Sequence, residues 1–158
     1  MNKNKTVCFT GHRQIPIAHR ARLIAALQKE VERQIKSGAT VFRAGGALGF
    51  DTLAAMTVVR YRQIYPHVRL ELILPCPTQA DNWGEDDRVL YQEILTLADS
   101  YRYVSQSYFD GVLHMRNRQL VEGADVCIAY LTRSSGSGTA YTSALAIQSG
   151  LEFVNLAE

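Results

Sequence analysis

Short apolar runs alternate along this chain with longer stretches in which apolar residues return every three or four positions. The first run, 6–9, reads as a buried strand. Beyond it Pro16 suits the first turn of a helix whose apolar stripe is Ile17, Ala21, Ile24, Leu27, Val31 and Ile35, a helical period. Gly38 stops that helix and 40–44 returns to a strand. A glycine loop then leads into a helix running to about Tyr65, where Pro66 ends it. The third strand is 70–74, broken by Pro75-Cys76-Pro77, and Glu85, Asp86 and Asp87 supply the acidic first turn of a helix through Val89, Leu90, Ile94, Leu95 and Leu97. A strand over 101–104, a helix from about 111 to 121, a strand over 125–130, a helix over 139–148 stopped by Gly150, and a last strand over 153–156 complete the pattern.

Alternation of this kind builds a mainly parallel sheet covered on both faces, a Rossmann-like α/β three-layer sandwich occupying 1–158 as a single domain with right-handed crossovers. In such sheets ligands lie beyond the carboxyl ends of the strands. The loops of unusual composition, 10–13, 45–51, 75–83 and 130–139, all fall at that edge. Clustering the glycine loops favours strands one, two and five near the sheet centre, and the expected order is 3-2-1-4-5.

Two of these loops are glycine-rich: Gly45-Gly46-Ala47-Leu48-Gly49-Phe50-Asp51 and Ser134-Ser135-Gly136-Ser137-Gly138-Thr139. Each follows a strand and opens a helix, so bare N–H groups and a helix N-terminus favour an anion, which points to the phosphate of a nucleotide. The first loop has neither the GxGxxG spacing nor the Lys-Ser/Thr pair of a Walker A loop, which disfavours ATP hydrolysis. Gly45 and Gly46 allow close backbone approach and Gly49 tight helix packing, while Asp51 either caps the helix or binds ribose hydroxyls or a water. Thr10-Gly11-His12-Arg13 offers a hydroxyl, an N–H and a planar guanidinium to one oxyanion; as a plain turn it is a capping Thr with an exposed Arg. A lone His12 is more often structural than a base. Trp83, the only tryptophan, sits in polar surroundings after Gln79, where it either stacks on a base or plugs the loop. Arg116, beside Asn117, pairs with Asp51 or Asp125 or contacts ligand.

Composition narrows the compartment and the partners. A chain of 158 residues with 47% hydrophobic content buries one core and is short for two ordinary domains. The net charge is +2, yet residues 1–43 hold nine Lys/Arg against two acids and the remainder eight against thirteen. A solvated basic face on the first helix outweighs a nucleic-acid footprint at so small a net charge. Cys8, Cys76 and Cys127 lack CxxC spacing and read as small hydrophobes in a reducing compartment, and no apolar stretch approaches spanning length. A cytoplasmic protein without membrane contact or bound metal is expected.

Taken in order, TGHR at 10–13, GGALGFD at 45–51, Pro75 with Gln79 and Trp83, Met115-Arg116-Asn117, and Ser137-Gly138-Thr139-Ala140-Tyr141-Thr142 resemble the YpsA-like branch of the SLOG superfamily. That superfamily groups Rossmann-like proteins similar to the DNA-processing protein DprA and to the LOG phosphoribohydrolases. The resemblance spans nearly the whole chain. It implies a bacterial or phage protein that binds a nucleotide or derivative such as NAD, ADP-ribose or a nucleoside monophosphate, with no cofactor required and a homodimer as the natural state. By position it implies that Gly45, Gly46, Gly49 and Asp51 line one phosphate loop and Ser137, Gly138 and Thr139 the other. Thr10, Gly11 and Arg13 complete the anion site, and Gln79, Trp83, Arg116 and Asn117 surround base or ribose. The chain departs from the LOG pattern PGGxGTxxE, since Thr142 stands where the catalytic glutamate belongs. Met56 replaces a second acid common in relatives, and Ser137 stands where glycine is common, narrowing the second loop.

Three functions follow, in order of fit. A nucleotide-binding or sensing module needs no catalytic acid. An N-glycosidase would rest on Asp51, with Arg116 or Arg13 orienting a ribose 5′-phosphate. A DprA-like single-stranded DNA binder wants aromatics interleaved with its basic residues, which 1–43 lack. On sequence alone, Gly46→Val and Arg13→Ala are each expected to lose ligand while the fold survives, as read by nucleotide binding alongside circular dichroism.

Overall fold

In the computed structural model, which describes residues 4–132 and 137–157, the elements run β1 (Lys5–Gly11), α1 (Ile17–Lys36), β2 (Ala39–Ala44), α2 (Phe50–Arg62), β3 (Arg69–Leu74), α3 (Glu85–Leu97), β4 (Ser100–Tyr103), α4 (Val112–Val121), β5 (Val126–Tyr130), α5 (Gly138–Gln148) and β6 (Glu152–Asn155). The strands form one six-stranded sheet in the order β4-β3-β2-β1-β5-β6, with every neighbouring pair parallel. Val7, Cys8 and Phe9 are consecutive and all buried, because helices cover both faces and leave no solvent side for polar residues to alternate onto. On one face α1 packs against α2 and α2 against α3, around Phe9, Leu27, Phe42, Phe50 and Leu72. On the other, α4 packs against α5 over Cys8, Leu120, Val121, Cys127 and Ala146.

β1, β2 and β5 do lie together in the middle of the sheet, but the 3-2-1-4-5 order does not hold. β4 is an edge strand outside β3, and β5 takes the place beside β1. Burial explains the difference: Ser100, Tyr101 and Arg102 of β4 are exposed, whereas every residue of β5 is buried and requires a neighbour on each side. The chain therefore steps outward from β1 to β4 across one face, and α4 then recrosses the other face to start β5. The direction of travel reverses between β1 and β5.

The apolar stripe of α1 also differs from the sequence reading. Its buried apolar residues are Leu23, Leu27, Val31 and Ile35, while Ile17 is 91% exposed and Ala21 faces solvent. Followed back from Val31 through Leu27 and Leu23, this line meets His19 and Arg20 one turn earlier in place of an apolar pair, so the first turn leaves the core. α2 stops at Arg62, short of Tyr65; a turn carries on in which the Tyr65 N–H donates to the Tyr61 carbonyl at 2.8 Å. Cys8 and Cys127 pair in register across β1 and β5, and the neighbouring Cys8 thiol, then burial, push the Cys127 thiol upward, which suits inert hydrophobes. Among the described residues no helix is long and apolar enough to cross a membrane.

Phe50, fully buried at the start of α2, stands edge-on to Phe9 with centroids 6.1 Å apart and stacks on Tyr130 at 6.2 Å. Its ring fills the space a Cβ at Gly11 would need. Phe50→Ala is expected to lower unfolding free energy by about 3–5 kcal/mol in urea titrations, and a loss below about 1 kcal/mol would show that this contact does not anchor the β1 end.

Candidate functional site

Where the sheet changes direction, the carboxyl ends of β1 and β5 part and leave a crevice. It holds a cavity of about 420 Å³ lined by Thr10, Gly11, His12 and Arg13 after β1, Ala47 and Asp51 at the entry to α2, Leu113, His114, Arg116 and Asn117 on α4, and Ser137, Gly138 and Thr139 at the entry to α5. α2, α4 and α5 thus all present their first turns to one space. Their unpaired N–H groups and dipoles make it favourable to negative charge.

Arg116 sits at its floor, buried on α4. One guanidinium nitrogen donates to the Gly45 carbonyl and Nε donates to Asn117 Oδ1 at 2.8 Å. A Cβ on Gly45 would come within 2.7 Å of the Arg116 guanidinium and 3.0 Å of Asp51 Oδ2, so the glycine is what lets the arginine and the carboxylate share this corner. The Asp125 alternative for Arg116 is not taken up; Asp125 Oδ2 accepts the Thr6 N–H at 2.9 Å instead. Burial holds the Arg116 guanidinium below its ordinary pKa, while the nearby Asp51 charge opposes that shift.

Asp51 is not the helix cap. The N-cap position of α2 is Gly49, and the Asp51 carboxylate turns back to accept the Ala47 N–H at 3.1 Å. Burial raises its pKa from 3.8 to about 6, against the pull of Arg116, the Ala47 N–H, Arg13 and the Gly45 N–H. His12 is structural in the sense expected of it: its Nε2 accepts the Thr132 N–H at 3.0 Å, and burial lowers its pKa, so the neutral ring carries its proton on Nδ1.

The remaining glycines of the first loop face protein. Gly46 has φ +75° and a Cβ there would collide with the Leu74 side chain; Gly49 has φ +80° and a Cβ would collide with the Arg13 backbone. Gly46→Val therefore breaks the loop itself and is not a clean test of ligand contact, which corrects the expectation from sequence. Gly138 is the opposite case, since among the described residues a Cβ there meets only Asn117 Nδ2 at 3.6 Å. Gln79 and Trp83 stand away from the central cavity. Gln79 Nε2 donates to the Gly46 carbonyl at 3.4 Å and to Tyr91 Oη at 3.3 Å, and Trp83 packs edge-on against Tyr91 at 5.3 Å. Ser134, Ser135 and Gly136 lie outside the described residues. Leu113, His114 and Ala47 line the cavity although sequence reasoning does not single them out; His114 adjoins the Met115-Arg116-Asn117 motif, and its place in the first turn of α4 is the available signal. Thr142 is buried with its hydroxyl donating to the Gly138 carbonyl at 2.9 Å, and Met56 lies exposed on α2.

Comparison with known proteins adds a lineage to this geometry. The family model described as the YspA SLOG family matches residues 7–151. A UPF0398 protein of Halalkalibacterium halodurans is 29% identical over 147 residues, covering 87% of this chain and 78% of that one. A UPF0398 protein of Brevibacillus brevis is 29% identical over 115 residues, covering 71% of this chain and 61% of its own length. Among solved structures, DNA processing protein A from Helicobacter pylori, a protein with a single-stranded DNA binding mode, superposes with a TM-score of 0.64 at 20% identity, covering 94% of this chain and 63% of that one. Protein TM1055 superposes with a TM-score of 0.59 at 17% identity, covering 94% and 72%. Both structural likenesses support the Rossmann-like fold.

Asp51 carries the pH dependence of this corner. Its folded pKa lies above its unfolded value, so its contribution to stability is full below 3.8 and is lost as pH rises through about 6. Asp51→Asn is therefore expected to melt at a higher temperature than the parent at pH 7, with the advantage shrinking toward pH 4. An advantage that is absent at pH 7, or that grows on acidification, would contradict the assignment.

Proposed function

Because the chain belongs to the YspA SLOG family, we propose that it binds a nucleotide or nucleotide derivative, with the phosphate in the crevice between β1 and β5, and works as a binding or sensing module. The observation that carries this reading is uncompensated positive charge. Arg13 and Arg116 face a single carboxylate, Asp51, so two positive charges meet one negative even when that carboxylate is ionised. Arg13 is exposed at the rim and forms no ion pair among the described residues. Two mutually repelling guanidiniums beside the first turns of α4 and α5 are stabilised by an anion, and an Arg fork matches phosphate geometry. The cavity volume of about 420 Å³ falls in the ~300–1,000 Å³ range of small-ligand sites.

A second reading, N-glycosidase, draws on the same Asp51, a buried carboxyl at the cavity that titrates at about 6 and so is suited to proton transfer near neutral pH. Neither Thr142 nor Met56 offers it a second acid. Single-stranded DNA binding, the property of the Helicobacter relative in fold, is tested alongside.

Calorimetric titration with AMP, ADP-ribose, NAD and a short oligonucleotide, with chromatography of each mixture, separates the three. A free nucleotide is expected to bind and emerge intact. Arg13→Ala is expected to cost about 1.5–3 kcal/mol of that affinity, the scale of a charged hydrogen bond. Gly138→Val is expected to fold normally and block the cavity. Release of free base that disappears in Asp51→Asn would instead make this a glycosidase. Failure of every free nucleotide to bind overturns the reading.

A further inference from the structure

A second cavity, of about 520 Å³, lies beside the first, between the end of β3 and the loop after β4. The two cavities share Arg13 and Leu113, so they meet across one guanidinium. Resting on the nucleotide-binding reading, we propose that the site takes a two-part ligand, its anion in the central cavity and its aromatic base in this second cavity, with Tyr108 as the stacking platform.

Tyr108 lines the second cavity and is 62% exposed. Three other solvent-accessible rings already have partners: Trp83 packs on Tyr91 at 5.3 Å, Tyr141 on His114 at 4.5 Å and Tyr101 on Tyr103 at 5.8 Å. Among the described residues Tyr108 has none, so a face of its ring is available to a planar ligand. Its loop is anchored at its start. The Val104 N–H donates to the Leu74 carbonyl at 2.8 Å and the Ser105 N–H to the Pro75 carbonyl at 3.0 Å, while Ser105 and Ser107 close a turn on each other. The ring is thereby tied to the same β3 end that carries Pro75 and Gln79, the other wall of the cavity.

That wall holds an unmet acceptor. The Gln79 amide is oriented by Nε2, which must face the Gly46 carbonyl, and this leaves Oε1 buried without a hydrogen-bond partner. Oε1 is closed off from solvent, so a base amino group or a ribose hydroxyl in the cavity reaches it only when the amide turns outward, a turn that an orphaned buried acceptor favours. Thr78 and Asn82 add polar groups beside it. Arg13, at the boundary, can hold phosphate while its planar face lies against the base. Trp83, the ring that the sequence suggests for stacking, is occupied by Tyr91, and Tyr108 takes that role.

AMP and ribose 5-phosphate, which differ by the base alone, provide the test on the full chain, with circular dichroism to confirm that the exposed substitutions fold. AMP is expected to bind the parent at least ~10-fold more tightly than ribose 5-phosphate, the scale of one base stacked on an aromatic ring. Tyr108→Ala should erase that preference and leave ribose 5-phosphate affinity unchanged, and Tyr108→Phe should keep it. Equal affinity for the two probes in the parent, or a preference that survives Tyr108→Ala, overturns the platform while leaving anion binding intact. If neither probe binds, the nucleotide reading itself fails and this inference falls with it.

Discussion

One buried guanidinium ties the crevice together. Arg116 rises from α4, on one face of the sheet, and bonds the Gly45 carbonyl at the end of β2, whose helix α2 lies on the other face. Burying a cation is unfavourable unless it is hydrogen-bonded, so the Gly45 carbonyl and the Asn117 side chain hold it, with the Asp51 charge nearby. The same burial desolvates Asp51 and raises its proton affinity. The floor of the cavity is thus set by a single contact across the sheet, while its pH response comes from the burial of Asp51, which the Arg116 charge opposes.

The topology turns that contact into a site. Reversal of strand order between β1 and β5 opens the crevice, and the helices that follow deliver three N-terminal turns to it. The Asp51 carboxylate places a negative charge beside the start of α2, whereas the ends of α4 and α5 and the rim guanidinium of Arg13 face the cavity without one. Glycine serves two different ends here. In the first loop it makes room for Arg116, Leu74 and the Arg13 backbone; at position 138 the described residues leave room for a Cβ in ordinary contact with Asn117. Only the second kind exposes backbone to a ligand.

Every strand and helix is legible in the sequence, because apolar runs in the inner strands, the 3.6-residue period of α1 and the glycines and prolines that bound the elements are local signals. The place of β4 is legible in principle too, since Ser100, Tyr101 and Arg102 read as an edge and Val126 to Tyr130 as an interior strand. The exposed Ile17 is harder, because its apolar neighbours define a plausible stripe that differs from the true one by part of a turn. Residues of the loops stand out in the sequence, but the reasons for them do not. Gly45 and Arg116 are 71 positions apart, and nothing local indicates that one makes room for the other. Whether Trp83 plugs a loop or meets a ligand depends on Tyr91, and Tyr108 escapes notice because a lone aromatic pair in a polar loop has no periodicity to mark it.

The central claim is that the β1/β5 crevice is where this protein meets an anion. Amide chemical-shift mapping with isotopically labelled protein and AMP tests it residue by residue. The account predicts shifts concentrated at Gly11 to Arg13, Ala47 and Gly138 to Thr139, the backbone that lines the cavity. Shifts confined to the exposed face of α3, around Arg88 and Gln92, or spread along α1, would place the ligand elsewhere and contradict it.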